Sequence, residues 1–169
     1  PLDLSGLDDG TLGVKIRGEG FGEETDLAEA LGDVNGDGYD DVLISRNAGS
    51  NPRTYLLFGG EGLGNDIDLP DGTGDYSWGH SWAGASDYSA PNIGDVNADG
   101  FDDFIVGGNS SSDPMYLVFG RSDFSGMTSI SELADSGEGI QLSGYELCES
   151  AGDLNSDGFH DVVCAAPNA

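Results

Sequence analysis

Apolar residues along this chain fall in short runs broken by Gly, Asn, Asp and Pro, and helix signals are weak. One set of runs leaves acidic loops: Asp41-Val-Leu-Ile-Ser45, Asp103-Phe-Ile-Val-Gly107 and Asp161-Val-Val-Cys-Ala165. These runs are rich in β-branched and aromatic residues, which predicts strands. A second set enters the same loops, around Asp26–Leu31, Tyr88–Ile93 and Leu147–Ala151. A third is Thr54-Tyr-Leu-Leu-Phe58-Gly59, recurring as Met115-Tyr-Leu-Val-Phe119-Gly120. A fourth, Val14–Arg17 and Ile140–Ser143, alternates apolar with polar positions as a half-buried strand does. Asp75–Trp82 is predicted to fill the fourth place in the middle unit. Glu23–Ala30 carries a faint helical signal that the surrounding β pattern outweighs, and Ser131–Ala134 predicts a helical turn in a connector.

These runs keep a common phase. The acidic loops begin at Asp33, Asp95 and Asp153, a period near 60 residues. Self-similarity at that length marks propellers or repeat arrays. Approximate repeats run over 14–65, 66–127 and 128–169, a full repeat supplying four short strands and the last one being incomplete. The chain opens on a fourth-type strand and ends after the second strand of its third repeat. Its sheet edges are therefore expected to be completed by further blades of a parent chain or by another copy, since an exposed edge is a pairing template.

The loops carry the chemistry. They read Asp33-Val-Asn35-Gly-Asp37-Gly-Tyr39-Asp-Asp41, Asp95-Val-Asn97-Ala-Asp99-Gly-Phe101-Asp-Asp103 and Asp153-Leu-Asn155-Ser-Asp157-Gly-Phe159-His-Asp161. Carboxylates stand at positions 1, 5 and 9, an amide oxygen at 3, and a backbone carbonyl is available at 7. Calcium takes six to eight oxygen ligands in flexible geometry, whereas magnesium demands a strict octahedron and keeps its waters. Three calcium sites are expected: Asp33, Asn35, Asp37, the Tyr39 carbonyl and Asp41; Asp95, Asn97, Asp99, the Phe101 carbonyl and Asp103; Asp153, Asn155, Asp157, the Phe159 carbonyl and Asp161. Helical calcium loops need a carboxylate at position 12. Here that position is Ile44, Val106 or Cys164, each inside an apolar run, which disfavours EF-hand and dockerin modules.

Charge narrows the partners. With 32 acidic and 5 basic residues the formal net charge is −27. So acidic a chain repels nucleic acid and anionic membrane surfaces, and three calcium ions would offset a small part of that charge. No apolar run reaches the roughly 20 residues of a membrane helix, so no membrane insertion is expected. The 29 glycines suit turns and short strands.

Taken together, the loops, Phe21-Gly22, the Tyr-Leu-(Leu/Val)-Phe-Gly segments and Ala165-Ala166-Pro167 resemble the FG-GAP repeat of the integrin α-subunit β-propeller and its bacterial relatives. The first two repeats depart from the Gly-Ala-Pro element, carrying Arg46-Asn-Ala and Gly107-Gly-Asn. The resemblance implies an all-β fold of four-stranded antiparallel propeller blades, a partial propeller of about two and a half to three blades. It implies that each loop joins the first and second strands of a blade, and that ligands meet the opposite face.

The remaining reactive residues are few. His160 occupies non-ligand position 8, where Asp40 and Asp102 stand in the other loops, and is expected to be structural. His80 lies between Trp78 and Trp82; packing between blades is preferred, with a sugar-binding aromatic platform as the rival. Cys148 and Cys164 flank the third loop, and their counterparts, Ala28 with Ile44 and Ala90 with Val106, are apolar. A disulfide and a buried thiol pair are both open at this point. No nucleophile and base accompany one another, so no catalytic site is expected. The expected function is that of a calcium-stabilised propeller segment of an extracellular or cell-surface protein, acting in adhesion or protein interaction. The alternative is a carbohydrate-binding propeller or an accessory module of a secreted hydrolase.

Overall fold

The computed structural model of the chain describes residues 13–18, 25–46, 53–61, 63–64, 66–70, 72–83, 89–107, 114–126, 129–145 and 147–166. Phe21-Gly22 and Pro167 lie outside these. In chain order the strands are β1 (Lys15–Gly18), β2 (Thr25–Gly32), β3 (Asp41–Arg46), β4 (Arg53–Leu57), β5 (Asp66–Leu69), β6 (Gly74–Tyr76), β7 (Gly79–Ala83), β8 (Ser89–Gly94), β9 (Asp103–Gly107) and β10 (Met115–Val118). A short helix, α1 (Ile130–Ser136), then precedes β11 (Gly139–Leu142), β12 (Leu147–Gly152) and β13 (Asp161–Ala165). The helix opens on a capping box: the Ser129 N–H donates to the Glu132 carboxylate at 3.1 Å. It stops at Gly137, whose φ of 83° suits a residue without Cβ.

The strands form β-propeller blades. The first blade is the antiparallel sheet β2-β3-β4-β7, extended by β6. The second is β8-β9-β10-β11, and β12-β13 begin a third. The entry strands β2, β8 and β12 pack side by side from blade to blade. Middle strands are sandwiched between neighbouring sheets, so both of their faces are buried and they read as continuous apolar runs. The pleat deals their side chains alternately to two cores. Leu43, Leu56 and Trp82 of the first blade meet Phe104, Val106 and Val118 of the second. Their neighbours Ile44, Tyr55 and Leu57 turn the other way, towards Ile67 and Leu69 of β5. Ile105, Met115 and Leu117 likewise face Cys148, Val162 and Cys164.

Three local expectations change. Asp75–Trp82 is not one strand but a hairpin, β6 and β7, with Asp75 opposite His80. Gly79, at φ 151°, presses so closely on the Leu56 carbonyl that a Cβ would stand 1.9 Å from it, and this close approach breaks the run. The fourth-type strand near the start, β1, pairs in parallel with β5, and Arg17 salt-bridges Asp66 and Asp68 across that pair. Finally, Val106 stands opposite Ser89, and Ala90 opposite Ile105. Pro91 offers no N–H to the ladder, and the register slips before Gly94.

In the third blade Cys148 and Cys164 are direct cross-strand partners and form a disulfide. It closes the sequence around the third loop across a separation of 16 residues. The outer face of this pair leaves Leu147 and Val163 exposed.

Candidate metal loops

Each acidic loop lies between the entry strand and the second strand of a sheet: β2 and β3, β8 and β9, β12 and β13. A bulge just before each loop turns the entry strand out of the ladder. The backbone then takes the left-handed conformation at the fourth position, whatever residue is there: Gly36, Ala98 and Ser156 have φ of 75°, 57° and 62°. At position 6, Gly38, Gly100 and Gly158 have φ of 92°, 92° and 93°. Three sequences differing at the fourth position thus share one loop conformation.

Inside the loop, acceptor oxygens are gathered by backbone amides. Asp33 accepts from Gly36, Asp37 and Gly38. Asn35 accepts from the Asp37 amide and donates to the Asp37 carboxylate at 3.0 Å. Asp37 in turn accepts from Tyr39 at 3.0 Å. The second loop repeats this with Asp95, Asn97, Asp99 and Phe101. The third does so with Asp153, Asn155, Asp157 and Phe159. Positions 1, 3 and 5 of each loop therefore come together. Among the described residues no group of three or more His, Cys, Asp or Glu side chains is drawn into a metal cage; the carboxylates turn onto their own loop amides.

Position 9 is different in kind. Asp41 and Asp103 are fully buried. Asp41 accepts from Val34 at 2.9 Å and from Gly59 at 2.9 Å, and Asp103 from Val96 at 2.8 Å and Gly120 at 2.8 Å. This carboxylate ties the loop to the end of the third strand. Burial pushes both carboxyls up to about 6 against those amide bonds, and Asp37 and Asp33 in the first loop, with Asp99 and Asp95 in the second, add to the rise. Asp161 has the Leu154 amide at 2.7 Å and is only half-buried.

The Phe-Gly dipeptides acquire a physical reason here. A Cβ at Gly59 would stand 2.4 Å from the Asp40 carbonyl, and one at Gly120 would stand 2.3 Å from that of Asp102. Only glycine lets the third strand come near enough for its N–H to reach the buried carboxylate. Sequence reading missed these two donors; their signal was the recurrence of Gly after Tyr-Leu-(Leu/Val)-Phe. His80 is buried on β7, 2.6 Å from Asp75, and packs on Trp82. Trp82 is fully buried between the first two blades, so it offers no face to a sugar. Trp78 is half-buried, stacks on Tyr76 at 4.8 Å, and borders a cavity of about 530 Å³ beside the first loop.

Propeller blades whose entry and second strands are joined by acidic nine-residue loops define the class of the protein. The family model of the FG-GAP repeat matches residues 27–62 and 149–169, which carry the first and third loops. Integrin alpha pat-2 of Caenorhabditis briggsae is 30% identical over 168 residues, an alignment that covers 84% of this chain. This chain belongs to the FG-GAP repeat family of integrin alpha-like β-propellers. It spans 12% of the length of that relative.

Proposed function

We propose that this chain is a calcium-stabilised propeller segment acting in adhesion or protein interaction at an extracellular or cell surface. The observation that carries the reading is the threefold recurrence of one loop geometry around the same all-oxygen donor set. The residues fit a hard cation. Each loop offers three carboxylates, an Asn oxygen and a backbone carbonyl at position 7, with no sulfur or imidazole donor at positions 1, 3, 5 or 9. A fully buried carboxylate at position 9 in two loops is the kind of group a divalent cation stabilises. The proposed ligands are Asp33, Asn35, Asp37, Asp41 and the Tyr39 carbonyl, with their counterparts in the second and third loops. Calcium there would neutralise the clustered acids and hold the entry strand to the second strand. The role is structural, and no residue is assigned to catalysis.

The partner side follows from the family and the exposed sheet. Integrin alpha pat-2 is an integrin chain by name, which supports a protein partner and a surface location. Leu147 and Val163 on the outer face of β12-β13 continue the series of faces that elsewhere pack blade on blade, so a further blade, of a longer chain or a second copy, is the proposed neighbour. The carbohydrate reading rests on the Trp78 cavity, where Asp37 and Asn35 of the first loop share a wall with the indole.

One panel separates these readings. The immobilised chain is probed with extracellular-matrix proteins, a glycan array and the chain itself, each in calcium and in chelator. Calcium-dependent capture of a matrix protein or of the chain, unchanged by Trp78→Ala, is the expected result. Glycan capture lost in Trp78→Ala would replace it with the carbohydrate reading. Equal capture in calcium and chelator would remove calcium from the function.

A further inference from the structure

The residue at position 8 of the second and third loops is not a proposed ligand, yet it makes the junction with the loop of the preceding blade. Asp102 lies in the second loop. Its N–H donates to the Asp33 carbonyl at 3.0 Å, and its carboxylate accepts from the Asp33 N–H at 3.0 Å. Position 8 of the second loop thus grips both backbone groups of position 1 in the first. The next junction keeps the backbone half of this grip: the His160 N–H donates to the Asp95 carbonyl at 3.2 Å, while His160 Nδ1 lies 3.2 Å from the carbonyl of Ile93, two residues before Asp95.

Each grip needs a glycine. Gly32 and Gly94 immediately precede position 1 and have φ of 79° and 75°. A Cβ at Gly32 would stand 2.1 Å from the Asp102 carboxylate, and one at Gly94 would stand 1.4 Å from His160 Nδ1. Gly152 precedes the third loop with φ of 63°, and nothing described lies within 4 Å of its Cβ direction. Arg121, just past the Gly120 donor, adds a second tie by donating its N–H to the Val34 carbonyl at 2.8 Å.

We propose that Asp102 and His160 are positioning residues for the metal loop of the preceding blade and make calcium binding in neighbouring loops cooperative. Position 8 is flanked by the carbonyl of position 7 and the carboxylate of position 9, both donors to the same ion. Ion binding in one loop therefore fixes its position 8, which holds the first ligand of the preceding loop in place. Linkage makes the effect reciprocal. The three loops act as a chain of linked sites rather than three separate ones. This inference rests on the calcium reading above.

The test uses Asp102→Ala and Asp102→Asn in the whole chain. Terbium luminescence reports the first loop, because Tyr39 and Trp78 stand beside it while the second and third loops carry Phe101 and Phe159. Calorimetry with calcium reports all sites together. Supporting partners of ligands change metal affinity by about 10–100-fold when removed. Asp102→Ala is expected to weaken terbium at the first loop by about tenfold. Asp102→Asn keeps an oxygen acceptor for the Asp33 N–H and is expected to recover most of it. His160→Ala is expected to weaken a site other than the first. Loss confined to the second loop in Asp102→Ala, or an equal loss in Asp102→Asn, overturns the proposal. A metal-free measurement separates it from the calcium reading: amide exchange at Asp33 is expected to quicken in Asp102→Ala even if no ion binds. An unchanged rate at Asp33 overturns the grip itself, whereas absence of terbium and calcium binding in the unaltered chain overturns the calcium reading.

Discussion

Removing calcium from this chain is expected to lower its melting temperature by about 20 °C. An ion that binds only the folded state contributes about 2.7 kcal/mol when present at 100 times its dissociation constant. Three such sites sum to roughly 8 kcal/mol, comparable with the whole stability of an ordinary domain. In a chain of this size each kcal/mol moves the midpoint by roughly 2–4 °C. The direction has a structural origin. Without a cation, each loop holds three or four carboxylates within nine residues, and Asp41 and Asp103 are fully buried. Those carboxylates accept from Gly59 and Gly120, so a loop that loosens also releases the third strand of its blade. Thermal scans in calcium and in chelator check this. Equal midpoints would show that the loops are closed by their own amide hydrogen bonds alone.

The second large effect lies in the packing between blades. Trp82→Ala is expected to cost about 3–5 kcal/mol, the range for emptying a core aromatic site. Trp82 is fully buried among Leu43, Leu56, Phe104 and Val118, and its ring meets Phe124 edge-on at 6.1 Å. Its loss would open a cavity on the seam joining the first two blades. Urea unfolding should show a lower midpoint with an unchanged slope. Trp78→Ala, at a half-buried position on the same strand turn, should cost clearly less. Similar losses in the two variants would mean that the seam is not the site of the stability.

How far the sequence foretold this arrangement depends on the range of each interaction. The loops were legible because their chemistry is local: Asp33, Asn35 and Asp37 contact amides two to five residues away. The second and third strands were legible because a strand between two sheets must be apolar on both faces, as Leu43 and Ile44 are. The parallel pairing of β1 with β5 was not legible, since either strand could have paired with several others of like pattern. The hairpin inside Asp75–Trp82 escaped notice because the feature that divides it is the approach of Gly79 to a carbonyl on β4. The disulfide was undecided until the register placed Cys148 opposite Cys164. Asp102 was the least legible of all. In sequence it is one more acid in an acidic turn, and its role appears only when the preceding blade's Asp33 is brought beside it.

The central claim is that the three loops are calcium sites built from the same five groups. Calorimetric titration of the chelator-treated chain with calcium tests it most directly. The account predicts three ions per chain, falling to two when Asp37→Asn and Asp41→Asn are introduced together in the first loop. A chain that takes up no calcium, or one whose count is unchanged by those two substitutions, would contradict it.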